Sequence, residues 1–281
     1  GNKLVDGGFY LFTEHEKENF IKEEPNSKKY FKQILSGDEF INGKNRWVLY
    51  LKDADPKELK SMPKVLERIN EVKKYREAST KKQTQETALT PTLFAEPRQP
   101  ESDFLLIPRT SSENRRYIPF GFFEKEFIVN DSCTALPNAT TYHFGIMSSQ
   151  MHMAWVKYTC GRLESRFRYS NTLVYNNFPW PANLTSKQKE AVDKAAQQVL
   201  DARLQFPNSS LADLYDPNTM PPVLAKAHQQ LDKAVDLCYR PQPFINETKR
   251  IEFLFELYDK YTAGLFAGEV KKKAKSKKKK I

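Results

Sequence analysis

The change in sequence pattern at residues 176–181 (NNFPWP) constrains the fold of this chain more than any other feature. After it, apolar residues recur three and four positions apart, as they do on one face of a helix. Before it, short runs of aromatic and β-branched residues alternate with helical stretches. The pattern predicts an α+β fold, with a mixed domain over residues 1–178 and an all-helical domain over 179–268. Phe178 and Trp180 are predicted to anchor a rigid corner between the two.

The all-helical part is predicted to contain three helices. The first starts at residues 185–188 (TSKQ), which have the spacing of a capping box. The second follows the paired prolines at 221–222, and the third spans the apolar residues between 251 and 265. Beyond them, residues 269–281 are predicted to form a disordered, Lys-rich tail.

The mixed part is predicted to combine short strands with helices. Two charged helices, separated at Pro25, are predicted within residues 14–35, because proline interrupts helical hydrogen bonding. Longer helices are predicted over 55–78 and 144–160, with a polar, proline-containing loop at 79–103. The predicted strands are 47–51, 104–107, 116–118, 127–129, 166–169 and 172–175.

The positive charge of the chain is concentrated at its end. The formal net charge is +10, but residues 271–280 (KKKAKSKKKK) hold eight of the 45 basic residues. The rest of the chain has 37 basic and 35 acidic residues, so its net charge predicts no partner. The tail either adds sequence-independent attraction to phosphates or serves only as a soluble end.

The sequence contains no recognisable catalytic, cofactor-binding or metal-binding motif. Gly-rich nucleotide loops, HExxH and GxSxG are absent, and Phe178 stands where the Asn-Pro-Pro-aromatic motif requires proline. The four histidines and three cysteines lack metal-ligand spacing. Mean hydropathy is −0.68, and neither a signal region nor a membrane-spanning segment is found, which predicts a cytoplasmic protein without a membrane partner.

Residues 161–170 (GRLESRFRYS) are the main functional candidate. If Glu164, Arg166 and Arg168 lie on one strand, period-two alternation directs all three to one face, with Leu163 and the two aromatic residues toward the core. In a DNA major groove, arginine donates two hydrogen bonds to guanine and glutamate accepts one from cytosine. Glu164 and Arg166 can therefore read one C·G pair. The alternative is a surface salt-bridge ladder without a ligand.

A second basic and polar cluster spans residues 109–117 (RTSSENRRY). Its side chains suit contacts to phosphates or base edges, although a solvated loop also explains the composition. The candidate DNA contacts of this kind are Arg109, Ser111, Ser112, Asn114, Arg115 and Arg116, together with Arg162.

Several blocks together resemble one family. They are DGG at 6–8, SSENRRYIPFGF at 111–122, FGIMSSQMHMAW at 144–155, GRLESRFRYSNTLVYNNFPWP at 161–181 and SLADLYDP at 210–217. This order is similar to the C-terminal part of Type IIL, MmeI-like restriction–modification enzymes and related adenine-specific DNA methyltransferases. The resemblance extends from about residue 6 to residue 265, and its most specific block is 161–181.

The resemblance implies that this chain is the DNA target recognition part of a longer, prokaryotic protein. An S-adenosylmethionine-dependent methyltransferase domain, and in some members a nuclease that uses Mg²⁺, would belong to other parts of that protein. Because the chain lacks the initiator Met and the catalytic motifs, we expect it to be a fragment that is inactive alone. Its expected partners are double-stranded DNA and the methyltransferase domain of the same protein.

The resemblance also implies roles for individual residues. In the family, the positions of Glu164 and Arg166 govern one base, and members with Glu-x-Arg read a C·G pair whereas Lys-x-Asp members read the opposite orientation. The position of Arg168 contributes to another base together with an upstream loop residue, here Ser132.

Two other classes of protein remain open from the residues alone. A protein–protein adaptor would combine the same mixed and helical parts with an incidental lysine tail. A module for single-stranded RNA would need exposed stacking aromatics, for which the sequence shows no motif.

Overall fold

The computed structural model describes residues 1–277, with side chains described through Ala263. Two compact units are each assembled from separate segments of the chain. The first contains Gly1–Arg109, Pro119–Ala139 and Ser210–Ala212, and the second contains Thr110–Ile118, Thr140–Ser209 and the chain from Asp213 onward. The predicted boundary after residue 178 falls inside the second unit and stays a prediction. The predicted Lys-rich tail, residues 269–281, lies outside the part of the chain whose side chains are described, and it also stays a prediction.

Helices make up most of the second unit, and strands are more frequent in the first. The α-helices are α1 (Glu14–Glu23), α2 (Gly37–Asn42), α3 (Pro56–Lys60), α4 (Pro63–Glu77), α5 (Lys82–Glu86), α6 (Thr141–Met147), α7 (Gln150–Thr159), α8 (Ser186–Leu204), α9 (Leu211–Leu214), α10 (Pro222–Tyr239) and α11 (Glu247–Lys277). Two 3₁₀ turns, at Pro25–Tyr30 and Thr87–Leu89, and one turn of π-helix, at Asn171–Tyr175, complete the helical elements of the described residues.

The strands are short and form three small sheets within the described residues. They are β1 (Leu11–Phe12), β2 (Phe31–Leu35), β3 (Trp47–Leu49), β4 (Phe104–Pro108), β5 (Thr110–Ser111), β6 (Gly121–Phe123), β7 (Ile128–Val129), β8 (Cys133–Pro137), β9 (Gly161–Leu163) and β10 (Arg166–Arg168). The sheet orders are β1-β3-β2-β7 and β6-β4-β8 in the first unit and β5-β10-β9 in the second. All pairings are antiparallel except β2 with β7. The α+β prediction is confirmed.

An aromatic cluster forms the centre of the first unit. The rings of Phe12, Phe20 and Phe31 meet edge to face, with centroids 5.0–5.8 Å apart. All three are buried, together with the stripe of α4 that includes Val65 and Val72. These residues come from β1, α1, β2 and α4, so the cluster joins the four-stranded sheet to its neighbouring helices.

Arg76 is a fully buried cation at the end of α4. Its guanidinium donates to five backbone carbonyls, at 2.8–3.3 Å. The acceptors belong to Leu4, Val5, Thr87, Thr90 and Leu93. Arginine has five N–H donors in a planar fork, so each donor finds one carbonyl. The polar segment after α4 and the start of the chain are thereby attached to the same helix end.

The second unit is built mainly from packed helices. α6 lies against α8 and α10, and Gly145 stands at this contact. A Cβ added to Gly145 would lie 2.7 Å from the Val192 Cγ1 atom, closer than real Cβ atoms approach. The predicted capping box is present, because the Thr185 side chain and Gln188 bond each other's backbone N–H groups. Among the described residues, none of the helices is both long and apolar enough to cross a membrane.

Several predicted elements of the first unit are wrong in extent or type. The second of the two helices within 14–35 is replaced by a 3₁₀ turn and β2, because Phe31 and Ile34 pack into the aromatic cluster. The predicted helix over 55–78 is interrupted before Pro63, whose ring disfavours a helical residue in front of it. The predicted loop over 79–103 includes α5 and a 3₁₀ turn. Strands β6 and β8 were not predicted.

The second unit also departs from the predictions. The helix over 144–160 is two helices, since Ser149 acts as the N-cap of α7. Residues 172–175 form the π-helical turn instead of a strand, and residues 116–118 form no strand. Phe178 is buried as expected, but Trp180 is only partly buried.

We predict that Arg76→Lys lowers the free energy of unfolding by about 2–4 kcal/mol, because lysine has three donors and leaves buried carbonyls without partners. Arg98→Lys is the matched control, since Arg98 is 65% exposed and pairs with Glu96 at the surface. Denaturant unfolding of both variants measures the difference. Equal stability of the two variants would contradict the proposed role of the five carbonyl contacts.

Candidate nucleic-acid interface

The predicted charged segment lies on the three-stranded sheet of the second unit. β10 is the central strand, and it pairs antiparallel with β5 on one side and with β9 on the other. Phe167 lies opposite both Ser111 and Arg162, and Arg168 lies opposite Thr110 and Gly161. Residues directly opposite in an antiparallel pair point to the same side, so the register assigns each side chain to a face.

The inner face of this sheet is defined by Ser111, Phe167 and Arg162. Phe167 is 2% exposed and Ser111 is 3% exposed. The Arg162 guanidinium lies 4.3 Å from the centre of the Phe167 ring and donates to the Ser165 carbonyl at 3.1 Å. It also donates to the Lys157 carbonyl at 3.3 Å, which connects the hairpin to the end of α7.

The outer face is defined by Thr110, Leu163, Arg166 and Arg168. Arg166 and Arg168 are exposed on either side of Phe167, as predicted from period-two alternation. Leu163 pairs with Arg166 across the hairpin and is exposed, so its predicted orientation toward the core is wrong. Strand β9 ends at Leu163, and the chain then reverses. Leu163 therefore lies opposite Arg166 on one face, whereas in a single continuous strand the two would point to opposite faces.

Glu164 is not on a strand. It begins the two-residue turn that joins β9 to β10, and its φ of 56° lies in the left-handed region. The prediction that Glu164 shares a strand with Arg166 is therefore wrong, because a turn intervenes. The carboxylate still meets its predicted partner: the Arg166 Nη2 atom donates to the Glu164 Oε2 atom at 2.7 Å. Both side chains are exposed, with 76% of Glu164 and 46% of Arg166 accessible.

A second carboxylate lies beside the turn. Continuing the β5–β10 register by two residues places Glu113 opposite Ser165. The Ser165 hydroxyl hydrogen-bonds the Glu113 carboxylate and holds the pKa of that carboxyl below its ordinary value, with Arg162 and Arg166 acting in the same direction. Glu113 thus helps to fix the tip of the hairpin, a role that the sequence analysis missed.

The end of β10 is attached to α7 by two buried side chains. The Tyr169 hydroxyl and the His152 Nε2 atom lie 2.9 Å apart, and Tyr169 is 2% exposed. Burial lowers the pKa of His152 to about 3, so the imidazole is neutral and remains a hydrogen-bonding partner for the phenol. Phe178 packs edge to face on the same imidazole, with ring centres 4.6 Å apart.

The second predicted cluster, residues 109–117, is divided by the structure. Asn114 and Arg116 are exposed, and Ser112 caps a tight turn by accepting from the Asn114 N–H at 3.3 Å. Arg115 is partly buried, and burial lowers its pKa. Ser111 is buried against the inner face, so its side chain is not accessible to DNA.

This loop is held in place by Tyr117 and Asp232, which lie 115 residues apart in the sequence. The Tyr117 hydroxyl donates to Asp232 Oδ2 at 2.7 Å, and the Gln150 backbone N–H donates to Asp232 Oδ1 at 2.7 Å. The Tyr117 ring stacks on His228 with centroids 4.0 Å apart. Gln150 also donates through its side chain to the Arg116 carbonyl.

Burial raises the pKa of Asp232 to about 6. The two hydrogen bonds just described oppose this shift, as does Arg250, but they do not outweigh the loss of hydration. Asp232 and Tyr117 were not predicted as functional residues, because nothing in the local sequence connects α10 with the loop.

Two predicted residues, Arg109 and Ser132, belong to the first unit. The Arg109 Nη1 atom donates to the Asp131 carbonyl at 2.7 Å, and the Arg109 backbone N–H donates to the Ser132 carbonyl at 3.0 Å. The Ser132 hydroxyl accepts from the backbone N–H of Gly37, the first residue of α2, at 2.9 Å. Ser132 is exposed, and its hydroxyl also hydrogen-bonds the neighbouring Cys133 thiol.

Residues 1–182 match the family described as "MmeI, target recognition domain". The chain belongs to this family. Residues 184–266 match a second family, "MmeI, C-terminal domain". The family predicted from the order of the sequence blocks is therefore confirmed.

Two individual proteins are similar to this MmeI-family chain. "DNA methyltransferase A" of Bacillus subtilis (strain 168) is 40% identical over 262 residues, which are 93% of this chain and 30% of that protein. A solved structure, described as Type IIL restriction-modification enzyme MmeI in complex with DNA, is 50% identical with a TM-score of 0.91. That match covers 94% of this chain and 35% of the other. The chain thus spans about a third of each.

We predict that Tyr169→Phe lowers the free energy of unfolding by about 1–3 kcal/mol, because it leaves the buried His152 Nε2 atom without its partner. Tyr158→Phe is the control, since Tyr158 is 58% exposed and its hydroxyl has access to water. Denaturant melts of both variants provide the comparison. A loss no larger than that of the control would show that the hydrogen bond contributes little.

The raised pKa of Asp232 predicts that the stability of the protein depends on pH. Its pKa rises from an ordinary 3.8 to about 6 on folding, so the folded protein binds the proton more tightly than the unfolded chain. The contribution of Asp232 to stability therefore falls as pH rises from about 4 to about 6, by on the order of 3 kcal/mol. Asp232→Asn removes this titration.

The measurement is the difference in unfolding free energy between the wild-type protein and Asp232→Asn at several values between pH 4 and pH 7. We expect the advantage of the wild type over the variant to shrink with rising pH. A difference that is constant across this range would contradict the raised pKa.

Proposed function

We propose that this chain reads a specific sequence in double-stranded DNA and thereby selects the site at which a longer protein methylates adenine N6. The observation that carries the proposal is the outer face of the β5-β10-β9 sheet. There, a Glu164–Arg166 ion pair and Arg168 are exposed on a hairpin whose other face buries Phe167. Support comes from membership of the MmeI target recognition family and from the similarity to MmeI, whose solved structure is a complex with DNA.

The chemistry of the outer face suits a C·G pair. Arg166 can donate two parallel hydrogen bonds to guanine O6 and N7, and Glu164 can accept one from cytosine N4. The two side chains already bond each other at 2.7 Å, so they are close enough to contact the two bases of one pair together. Both are exposed, so neither needs to leave a buried position to meet the base edges.

The other predicted contacts are assigned according to the exposure and the existing contacts of each side chain. Arg168 is exposed on the outer face and is assigned to a second base pair. Ser132, in the first unit, is also assigned to base recognition. Ser112, Asn114, Arg115, Arg116 and Arg109 are assigned to the DNA backbone or to base edges. Arg162 is committed to Phe167 and to two carbonyls, so we assign it a role in holding the hairpin, with a phosphate contact as a secondary role.

The methylation reaction itself is assigned to other parts of the longer protein. The residues of this chain do not fit S-adenosylmethionine, because neither a Gly-rich cofactor loop nor the Asn-Pro-Pro-aromatic motif is present. A methyltransferase domain in the same protein would bind that cofactor, and Mg²⁺ would be required if a nuclease is also present. We place the whole protein in the cytoplasm of a prokaryotic cell, where its DNA substrate lies.

A protein–protein adaptor remains the competing proposal, and the response to salt separates the two. The logarithm of a DNA-binding constant falls linearly with the logarithm of salt concentration, with a slope of about −0.9 per phosphate contacted. A protein–protein adaptor does not bind DNA, so it would show no such slope.

We predict that the double variant Glu164→Lys with Arg166→Asp changes one base pair of the recognised sequence from C·G to G·C. The reason is that donor and acceptor exchange positions while their spacing is kept. The intact protein is expressed in a host without N6-methyladenine, and modified adenines are mapped by long-read sequencing.

The matched control reverses another exposed ion pair of the same unit, with Lys249→Glu and Glu252→Lys. This control should methylate the original sequence. If the Glu164/Arg166 variant also keeps the original sequence and full activity, these residues do not read the base pair. If no adenine is modified by folded wild-type protein, the proposed function itself is wrong.

A further inference from the structure

Leu163 is an apolar side chain on a face that is otherwise polar. It is 42% exposed, and its Cα partner across the hairpin is Arg166. Directly opposite residues of an antiparallel pair point to the same side and bring their Cβ atoms within about 4.5–5.5 Å. Leu163 is therefore next to the arginine that the proposed function assigns to guanine, on the side that faces outward.

The register of the hairpin fixes the face on which Leu163 lies. The inner face of the sheet already buries Phe167, and the residue of β9 directed there is Arg162, which covers the ring. The hairpin register thus places Arg162 over the Phe167 ring and Leu163 on the opposite, outward face. Exposed leucines need no explanation singly, but this one borders the Glu164–Arg166 pair.

The chemistry of the major groove limits what a leucine can contact there. Base edges in this groove present hydrogen-bond donors and acceptors, and the apolar group among them is the C5-methyl of thymine. A leucine inserted beside Arg166 would leave polar edges without partners at a C·G pair. At a thymine it gains an apolar contact that removes one methyl group from water.

We propose that Leu163 is a further specificity-determining residue, which contacts the C5-methyl group of a thymine in the base pair adjoining the one read by Glu164 and Arg166. This inference rests on the proposed function. It adds a thymine to the recognised sequence at a defined place, next to the C·G pair that the Glu164/Arg166 exchange identifies.

The test uses the intact protein and duplexes that contain its mapped sequence. Each thymine is replaced in turn by deoxyuridine, which differs only in lacking the C5-methyl group. For the thymine next to the C·G pair, we expect binding to weaken about three- to fourfold, as for one methyl group lost from an apolar contact. Deoxyuridine at other positions should have a smaller effect.

Leu163→Ala should remove this dependence on the methyl group, so that thymine and deoxyuridine duplexes bind equally to the variant. The matched control is Leu173→Ala, because Leu173 is also an exposed leucine of the second unit, at 55%, and lies on the π-helical turn. The control should keep the three- to fourfold difference. Circular dichroism melts establish that both variants are folded.

Three outcomes would overturn the inference while leaving the proposed function intact. The first is a recognised sequence without thymine next to the C·G pair. The second is equal binding of thymine and deoxyuridine duplexes at that position by the wild-type protein. The third is a methyl dependence that Leu163→Ala keeps. Absence of any sequence-selective binding is a different result, because it contradicts the proposed function first.

Discussion

The burial of Phe167 and Tyr169 is the constraint on which the rest of the β9–β10 hairpin depends. Both rings are 2% exposed, so β10 cannot rotate without bringing two aromatic side chains into water. Burying one such ring contributes about 1.5–3 kcal/mol, which is more than an exposed ion pair usually gives. The inner residues therefore decide the orientation of the strand, and Arg166 and Arg168 face outward as a consequence. The Tyr169–His152 contact and the Glu113–Ser165 contact then fix the two ends of the same strand.

The alternation of side chains along β10 could be predicted from the local sequence, but the turn that precedes this strand could not. Alternation along β10 correctly directed Arg166 and Arg168 to one side and Phe167 to the other. The position of Glu164 could not be predicted in the same way, because its turn contains neither the Asn-Gly nor the Gly-x signal that usually marks a two-residue hairpin loop. Without that signal the segment reads as one strand, and Leu163 is then directed toward the core. A reversal of the chain at Glu164 and Ser165 changes the face on which Leu163 lies.

The contacts that hold the candidate site together are those that sequence reasoning missed. Tyr117 and Asp232 are separated by 115 residues, and each is unremarkable in its own segment. In the first unit, Arg76 was missed for a similar reason: it bonds backbone carbonyls, which every residue possesses, so no pattern of side chains can indicate its partners. The family resemblance succeeded where periodicity failed, because it depends on the order of whole blocks and not on the geometry within any one of them. It assigned the family without indicating which side chains support the hairpin.

The side chains on the two faces of the sheet have different roles. Under the proposed function, this difference explains how the site can change specificity while the protein stays folded. The side chains that keep the hairpin in place, Phe167 and Arg162, lie on the inner face, whereas Glu164, Arg166 and Leu163 contact few groups of their own chain. Exposed ion pairs contribute about 0–1 kcal/mol to stability, so exchanging Glu164 and Arg166 costs the fold little. Under the proposed function, the same exchange reverses a donor and an acceptor toward a base pair, where an incorrect contact costs about 1–3 kcal/mol. On that proposal, outward substitutions act on DNA recognition several times more strongly than on folding, and this is the condition under which a base-reading surface can diversify on a constant framework.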